Sequence, residues 1–385
     1  MNTYPHISFE RRWTISGDTS YILGECDALV SALRFLPLPP DVRRRSLEVS
    51  LVKGAQATTA IEGNTLSEEQ VARIMDGDIE VPESRQYQAD EVKNVLDAMT
   101  GIARQIMDGA VAPVSPDLIR NFHAGVTRGL PENNSVPGVF RSHEVHVGRY
   151  VPPDHREVGG LVARLCEWLA GEFGFRRDGR QRFADSVLEA IVAHVYLVWI
   201  HPFGDGNGRT ARLLEFYILL RGGLPDSCSH ILSNYYNNTR TLYYRELDEA
   251  GRTGDLTGFV AYAAKGLLEG LRDALLSAQI EQIKSCWRNF VYDRLDGSVA
   301  NKTVRRRMAR ILVGMDLFSE RRRDDFLASF PQGDIEYARL APAARRRDFD
   351  RMVSLGLVEV LPNESCRADT RAILAQLPRG RSFGG

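Results

Sequence analysis

The stretch His201-Pro202-Phe203-Gly204-Asp205-Gly206-Asn207-Gly208 constrains this chain more than any other. Upstream, residues 181–200 carry a helical pattern ending in Ile191, Val192, Val195, Tyr196, Val198, Trp199 and Ile200. A helix this apolar is expected to be buried and to deliver His201 to a fixed place. Pro202 breaks it, since proline has no N–H to give and its ring clashes with the preceding turn. The glycines at 204, 206 and 208 then open the backbone, and exposed successive N–H groups can wrap around an anion. A second helix is expected over 209–221, its unpaired N-terminal amides and positive dipole end facing the loop. Glycine loop plus helix N-terminus is a phosphate cradle on physical grounds.

The side chains of the loop sharpen that expectation. Asp205 is a hard oxygen ligand suited to Mg²⁺, which travels with nucleotide phosphates and keeps several of its waters. Arg209 and Arg212 are spaced i, i+3 on the first helical turn, so both can point at the same phosphates. As plain surface residues they would put cations at the positive end of a dipole, which is unfavourable without an anion. His201 at the rim is the side chain able to accept a proton near neutral pH.

The rest of the chain reads as mostly helical. Helices are expected over Gly24 to Leu36, Asp41 to about Glu62, from Ser67, over about Ser84 to Met107, and over Asp117 to Thr127. Gly138 to Pro153 alternates apolar and polar residues around Gly148 and is expected to form a β-hairpin. Helical patterning resumes at 156–173, 181–200, 209–221, 238–250 and 255–280. Asp296-Gly297-Ser298 marks an expected linker within 295–303. Beyond it come a short helix over Gly333 to Leu340, a turn at Ala341-Pro342, a helix over Ala343 to Leu355, and a strand over Leu357 to Leu361. That is the order of a winged helix-turn-helix. The expected fold is thus all-α with one hairpin flap, followed by a winged-helix module. The expected domains are an N-terminal helical region over 1–104, a core over 105–280, the module over 300–365 and a tail over 366–385.

Charge divides along the same line. The whole chain has a net charge of −1, yet residues 300–385 hold 17 Lys+Arg against 11 Asp+Glu, which leaves −7 elsewhere. A basic module points to nucleic acid or an acidic partner, and Arg345, Arg346, Arg347 and Arg351 decorate its second helix. DNA contact and an exposed protein-docking face weigh evenly. Five scattered cysteines without a CxxC pair read as reduced thiols and not as a disulfide frame or zinc site. With no signal peptide and no apolar stretch of about 20 residues, the expectation is a cytoplasmic protein with no membrane partner.

The pattern HPFxDGNGRxxR, met here from His201 to Arg212, resembles the Fic family, and the resemblance runs over about 105–275, including the hairpin and Ser233 to Leu247. It implies transfer of AMP from ATP to a Ser, Thr or Tyr hydroxyl of a target protein, with self-modification as a side reaction. By the resemblance His201 is the base, Asp205 holds Mg²⁺, and Gly206, Asn207 and Gly208 form the anion hole. Arg209 and Arg212 hold the outer phosphates, and Phe203 belongs to the nucleotide loop. Asn238, Tyr243 and Tyr244 line the adenosine side. Val145, His146, Val147 and Gly148 form a flap that pairs with the target backbone as an added strand. A dimer fits this architecture. Ala211 departs from the glycine of many relatives, while Gly208 argues against the Doc-type kinase loop, which has lysine there. Two rival expectations are a nucleotide-sensing transcriptional regulator that acts through the winged helix, and a transferase using another nucleotide donor.

Thr58-Thr59-Ala60-Ile61-Glu62-Gly63 resembles the family's inhibitory motif, S/T-x-x-x-E-G/N. Thr59 and Glu62 also fit a capping box, but the helical pattern enters Thr58 from upstream and Gly63-Asn64 reads as its stop. Glu62 then lies at the negative end of a helix, unfavourable by roughly 0.3–1 kcal/mol without a cation. The resemblance supplies Arg212 as that cation, and assigns Glu62 a further role in removing AMP from modified targets.

Overall fold

The computed structural model describes residues 4–78, 82–131, 135–174 and 182–375. They divide into two compact units, the first up to Leu36 and from Pro40 to Leu276, the second from Ser277 onward with Pro37–Pro39. The expected helix start at 181 and the tail end over 376–385 lie outside the described residues.

The first unit is helical: α1 (Gly17–Phe35), α2 (Pro40–Ile61), α3 (Glu68–Asp76), α4 (Gln86–Met107), α5 (Pro116–Val126), α6 (Val158–Glu172), α7 (Phe183–Ile200), α8 (Asn207–Arg221), α9 (Ile231–Asn238), α10 (Arg240–Thr253) and the start of α11 (Thr257–Ser298). Local chemistry sets several starts. Ser67 caps α3 in a reciprocal box with Gln70, and Ser115 caps α5 with Pro116 at the first helical position. α7 is apolar all round and passes the length and composition of a membrane span, but 83% of it is buried inside the protein. It packs along α8, and Tyr196, Trp199, Phe203 and Ile218 join one hydrophobic core. This α7–α8 pair fixes the corner from which the glycine loop projects.

Two expectations change. The hairpin over Gly138 to Pro153 shrinks to a single antiparallel bridge, Val147 with Tyr150, closed by reciprocal backbone hydrogen bonds of 3.0 and 2.9 Å. Pro152 and Pro153 cannot donate to a ladder, and a buried arginine side chain, described below, holds the segment instead. The expected break at Asp296-Gly297-Ser298 is helical, because α11 continues through it. Trp287, Val291 and Leu295, spaced four apart, bury in the core of the second unit, and that burial outweighs the poor helix propensity of Gly297.

The second unit continues with α12 (Lys302–Val313), β1 (Arg321–Arg322), α13 (Arg323–Gly333), α14 (Ile335–Ala338), α15 (Pro342–Ser354), β2 (Val358–Val360), β3 (Ser365–Ala368) and α16 (Arg371–Leu374). Its three strands form an antiparallel sheet in the order β1-β3-β2, with Arg321 opposite Cys366 and Glu359 opposite Arg367. Trp287, Met308, Phe330, Tyr337, Phe349 and Met352 make its core. Inside it Asp348 accepts from Arg307 at 2.7 Å and from Tyr337 at 3.0 Å.

Candidate active site

His201 ends α7 in the left-handed conformation, φ 49°, which turns the chain into the loop. Its Nδ1 lies 3.3 Å from the Val198 carbonyl; a carbonyl only accepts, so Nδ1 carries the hydrogen and Nε2 keeps a free lone pair. Burial pulls the imidazole down to about 4, with Arg141 nearby adding to the effect. A neutral ring with an open Nε2 is the form a general base needs. The His201 carbonyl accepts from Arg141 Nε at 2.8 Å, and the same buried guanidinium donates to the carbonyls of His143 and Pro153. Arg141 thereby ties both ends of the flap segment to the backbone of the base. Within that segment Val145 is half-buried, and His146, Val147 and Gly148 are exposed.

The loop is rigid for reasons that the side chains supply. Asn207 accepts from Phe203 N and donates to Phe203 O, both at 2.9 Å, so its amide is used inside the loop and only its backbone faces a ligand. Phe203 is fully buried and stacked on His123, so its ring holds the loop from beneath. Gly206 sits at φ +76°, and a Cβ there would fall 2.7 Å from Thr127 Cγ2. Asp205 keeps a carboxylate that is 53% exposed, 3.5 Å from Arg209 Nη2, with one oxygen taking the Gly206 N–H. One open hard carboxylate beside a run of backbone N–H groups fits Mg²⁺, which takes one or two carboxylates and leaves its other positions to phosphate and water.

Both loop arginines are buried within the first two turns of α8, and each meets a carboxylate from the N-terminal helical region. Arg212 donates to Glu62 Oε1 at 2.5 Å, to Thr58 Oγ1 at 2.5 Å and to the Thr58 carbonyl at 2.9 Å. Burial opposes ionisation of Glu62, but Arg212, helped by Arg209, overrides it and holds the carboxyl below its usual range. A Cβ added to Gly208 would lie 2.2 Å from Glu62 Oε1, so this carboxylate stands directly over the anion loop. Thr59 donates back to the Ala55 carbonyl at 2.8 Å, so it is an interior helix residue and not a cap. Gly63 follows at φ +101° and stops the helix.

Arg209 Nη1 lies 3.1 Å from Glu91 Oε1. Glu91 also accepts from Asn64 Nδ2 at 2.8 Å, and Asn64 Oδ1 accepts from Leu66 N at 3.0 Å. Burial pushes the Glu91 carboxyl up, against Arg209 and Asn64 and with the help of the Glu62 and Asp205 charges. On the other side, Arg240 donates to the Ala60 carbonyl at 2.5 Å and Tyr244 to the Ile61 carbonyl at 3.3 Å. These are last-turn carbonyls of α2, where a cation is favoured. Tyr244 is about half exposed, whereas Tyr243 is buried with its hydroxyl 3.0 Å from His194 Nε2. Tyr243 thus shapes the adenosine side from behind, and Asn238 is exposed at the end of α9.

Sequence reasoning missed Glu91, Asn64, Arg141, Arg240 and His123. Glu91 left one trace, a carboxylate next to the apolar stripe Val92, Val95, Leu96 and Met99 of α4, where an acid needs a partner. Arg141 and Arg240 meet main-chain carbonyls far along the chain, and no local pattern announces such contacts.

Residues 113–219 match the Fic/DOC family model. The chain is 34% identical over 208 residues to protein adenylyltransferase fic-1 of Caenorhabditis briggsae, covering 54% of this chain and 38% of that protein. It is 26% identical over 222 residues to protein adenylyltransferase Fic of Nematostella vectensis, covering 58% and 48%. It therefore spans less than half the length of these curated relatives. Among solved structures, a Fic family protein from Desulfovibrio desulfuricans superposes with a TM-score of 0.58 at 20% identity, covering 93% of this chain and 98% of that one. Fic-1 from C. elegans superposes at 0.56 with 26% identity, covering 69% and 74%.

Two outcomes are expected. Glu91→Gln removes one charge of a buried pair and lowers stability by about 3 kcal/mol, read as a shifted midpoint in urea unfolding with an unchanged slope. Burial also holds His123, His201 and His230 near 4. Their folded values lie below the unfolded one, so the unfolded chain binds more protons between about pH 6.5 and 4. Stability is full above that window and falls as pH drops through it; the raised Glu91 acts in the opposite sense, one group against three. Thermal midpoints that are equal at pH 7 and pH 5 would contradict this.

Proposed function

We propose that this chain, whose residues 113–219 form a Fic/DOC family domain, is a protein adenylyltransferase held in check by its own Glu62. It moves AMP from ATP to a Ser, Thr or Tyr hydroxyl of a protein target, itself included. The observation that carries the proposal is the position of Glu62: a carboxylate over Gly208, 2.5 Å from Arg212, fills an anion site at the foot of a base. The names of the relatives agree with the activity, since those proteins are called adenylyltransferases.

In this mechanism His201 Nε2 takes the proton of the target hydroxyl. The hydroxyl oxygen forms a bond to the α-phosphorus of ATP, the bond to the β-phosphate bridge breaks, and pyrophosphate leaves. The amides of Gly206 to Gly208 and the positive end of α8 meet the charge that gathers on the phosphate oxygens. Arg209 and Arg212 take the outer phosphates, and Asp205 would hold the Mg²⁺ that neutralises them. The exposed edge around Val147 offers its backbone to an extended target segment. While Glu62 keeps Arg212, the γ-phosphate has no partner there and ATP lies in an unproductive pose. In the same reading Glu62 also orients a water for hydrolytic removal of AMP from modified targets.

With α-labelled ATP, Glu62→Gly is expected to raise self-labelling by at least about tenfold, a change of about 1.4 kcal/mol in the barrier. His201→Ala in the same background should reduce it to the blank. Feeble incorporation that is equal in wild type and Glu62→Gly contradicts the inhibitory role, and a panel of labelled nucleotides tests the choice of donor.

The second unit favours a second partner. Helices α13 to α15 followed by the β2–β3 hairpin have the order of a winged helix, and Arg346 and Arg347 are exposed on α15. We read this module as a DNA-contacting element that brings the enzyme to its target. Replacing Arg346 and Arg347 with Ala should weaken duplex DNA binding and flatten its salt dependence by about two counterions. If wild type shows no gel shift at low salt, the module docks protein instead.

A further inference from the structure

His123 on α5 lies outside the loop motif, yet it touches the loop from beneath. Its ring is fully buried and stacks on Phe203 with centroids 3.7 Å apart and planes 1° from parallel. Nε2 lies 2.9 Å from the Asp205 carbonyl, and Nδ1 takes the Gly138 N–H at 3.0 Å. The carbonyl can only accept and the N–H can only donate, so one tautomer satisfies both: hydrogen on Nε2, lone pair on Nδ1. The same helix face adds two grips. Arg120 Nε donates to the Gly138 carbonyl at 2.8 Å, and Thr127 Cγ2 packs where a Gly206 side chain would be. Gly138 at φ +74° has no room for a Cβ, which would lie 3.2 Å from both Ala124 Cβ and the Arg120 carbonyl. Gly138 opens the segment that leads through Arg141 to the flap, and Asp205-Gly206 is the centre of the anion loop.

We propose that His123 is a positioning residue that clamps the anion loop to the root of the flap through its two ring nitrogens, so that nucleotide and target segment are held in one frame. Substrate misplacement by about 1 Å is enough to slow a transfer about 100-fold. A clamp that joins the two binding segments controls that distance without touching either substrate.

The inference deepens the transferase proposal, and its test has an arm independent of it. In the Glu62→Gly background, His123→Phe keeps the stack on Phe203 but has neither nitrogen, whereas His123→Gln retains one donor and one acceptor. The Phe variant is expected to lose about 10- to 100-fold in kcat/KM toward a protein target, and Gln to recover part of it. Amide hydrogen exchange should rise together over 136–150 and 203–208 in the Phe variant. Parent-like transfer and exchange in that variant overturn the proposal, as does a rise confined to one segment. If the Phe variant does not fold, His123→Asn, too short to reach both the Asp205 carbonyl and the Gly138 N–H, decides: a joint rise supports the clamp, and an unchanged or one-sided pattern overturns it. If the parent transfers no AMP, the transferase proposal fails, while the exchange arm still judges His123.

Discussion

Two guanidinium groups buried at the positive end of α8 require counter-charge, and the surrounding structure follows from how they obtain it. Arg209 and Arg212 are each about 3% exposed or less, and an uncompensated charge at such a depth is strongly destabilising. The two solutions differ. Arg209 faces Glu91 on α4, and Glu91 is itself buried and held by Asn64. Arg212 faces Glu62, whose side chain is about a third exposed just past the end of α2. The first pair is a fixed part of the core. The second is open on one side, since about a third of the Glu62 side chain is exposed.

The segment from Thr58 to Asn64 is held from several sides. Thr58 accepts from Arg212, Arg240 and Tyr244 bond the last carbonyls of α2, and Asn64 fixes the exit of the chain beside Glu91. Asn64 therefore joins the stop of α2 to the counter-charge of the other arginine.

The base and the target edge share a support too. Arg141 bonds the carbonyls of His201, His143 and Pro153, and a short bridge at Val147–Tyr150 replaces the longer hairpin. The exposed edge is therefore small.

The sequence by itself determined the loop and its chemistry. An apolar helix, a proline break, glycines at alternate positions and paired arginines follow from local rules, and the inhibitory pattern rests on spacing along one helix. Most helices of the first unit and the strand after Leu357 were also legible, because periodicity and breakers are local signals, whereas α9, α12, α13 and the partner strand β3 were not. Only the tertiary structure decided which side chains complete the site. Glu91, His123, Arg141 and Arg240 come from four separate segments and meet the site through space: Glu91 at Arg209, His123 and Arg141 at the carbonyls of Asp205 and His201, and Arg240 at the Ala60 carbonyl of α2. It also showed Phe203 and Tyr243 buried and the Asn207 amide bonded within the loop, because burial and hydrogen bonding depend on what packs behind a residue. The continuous α11 has the same origin: core burial of Trp287, Val291 and Leu295 overrides a locally weak Asp-Gly-Ser segment, a contest that no window of sequence contains.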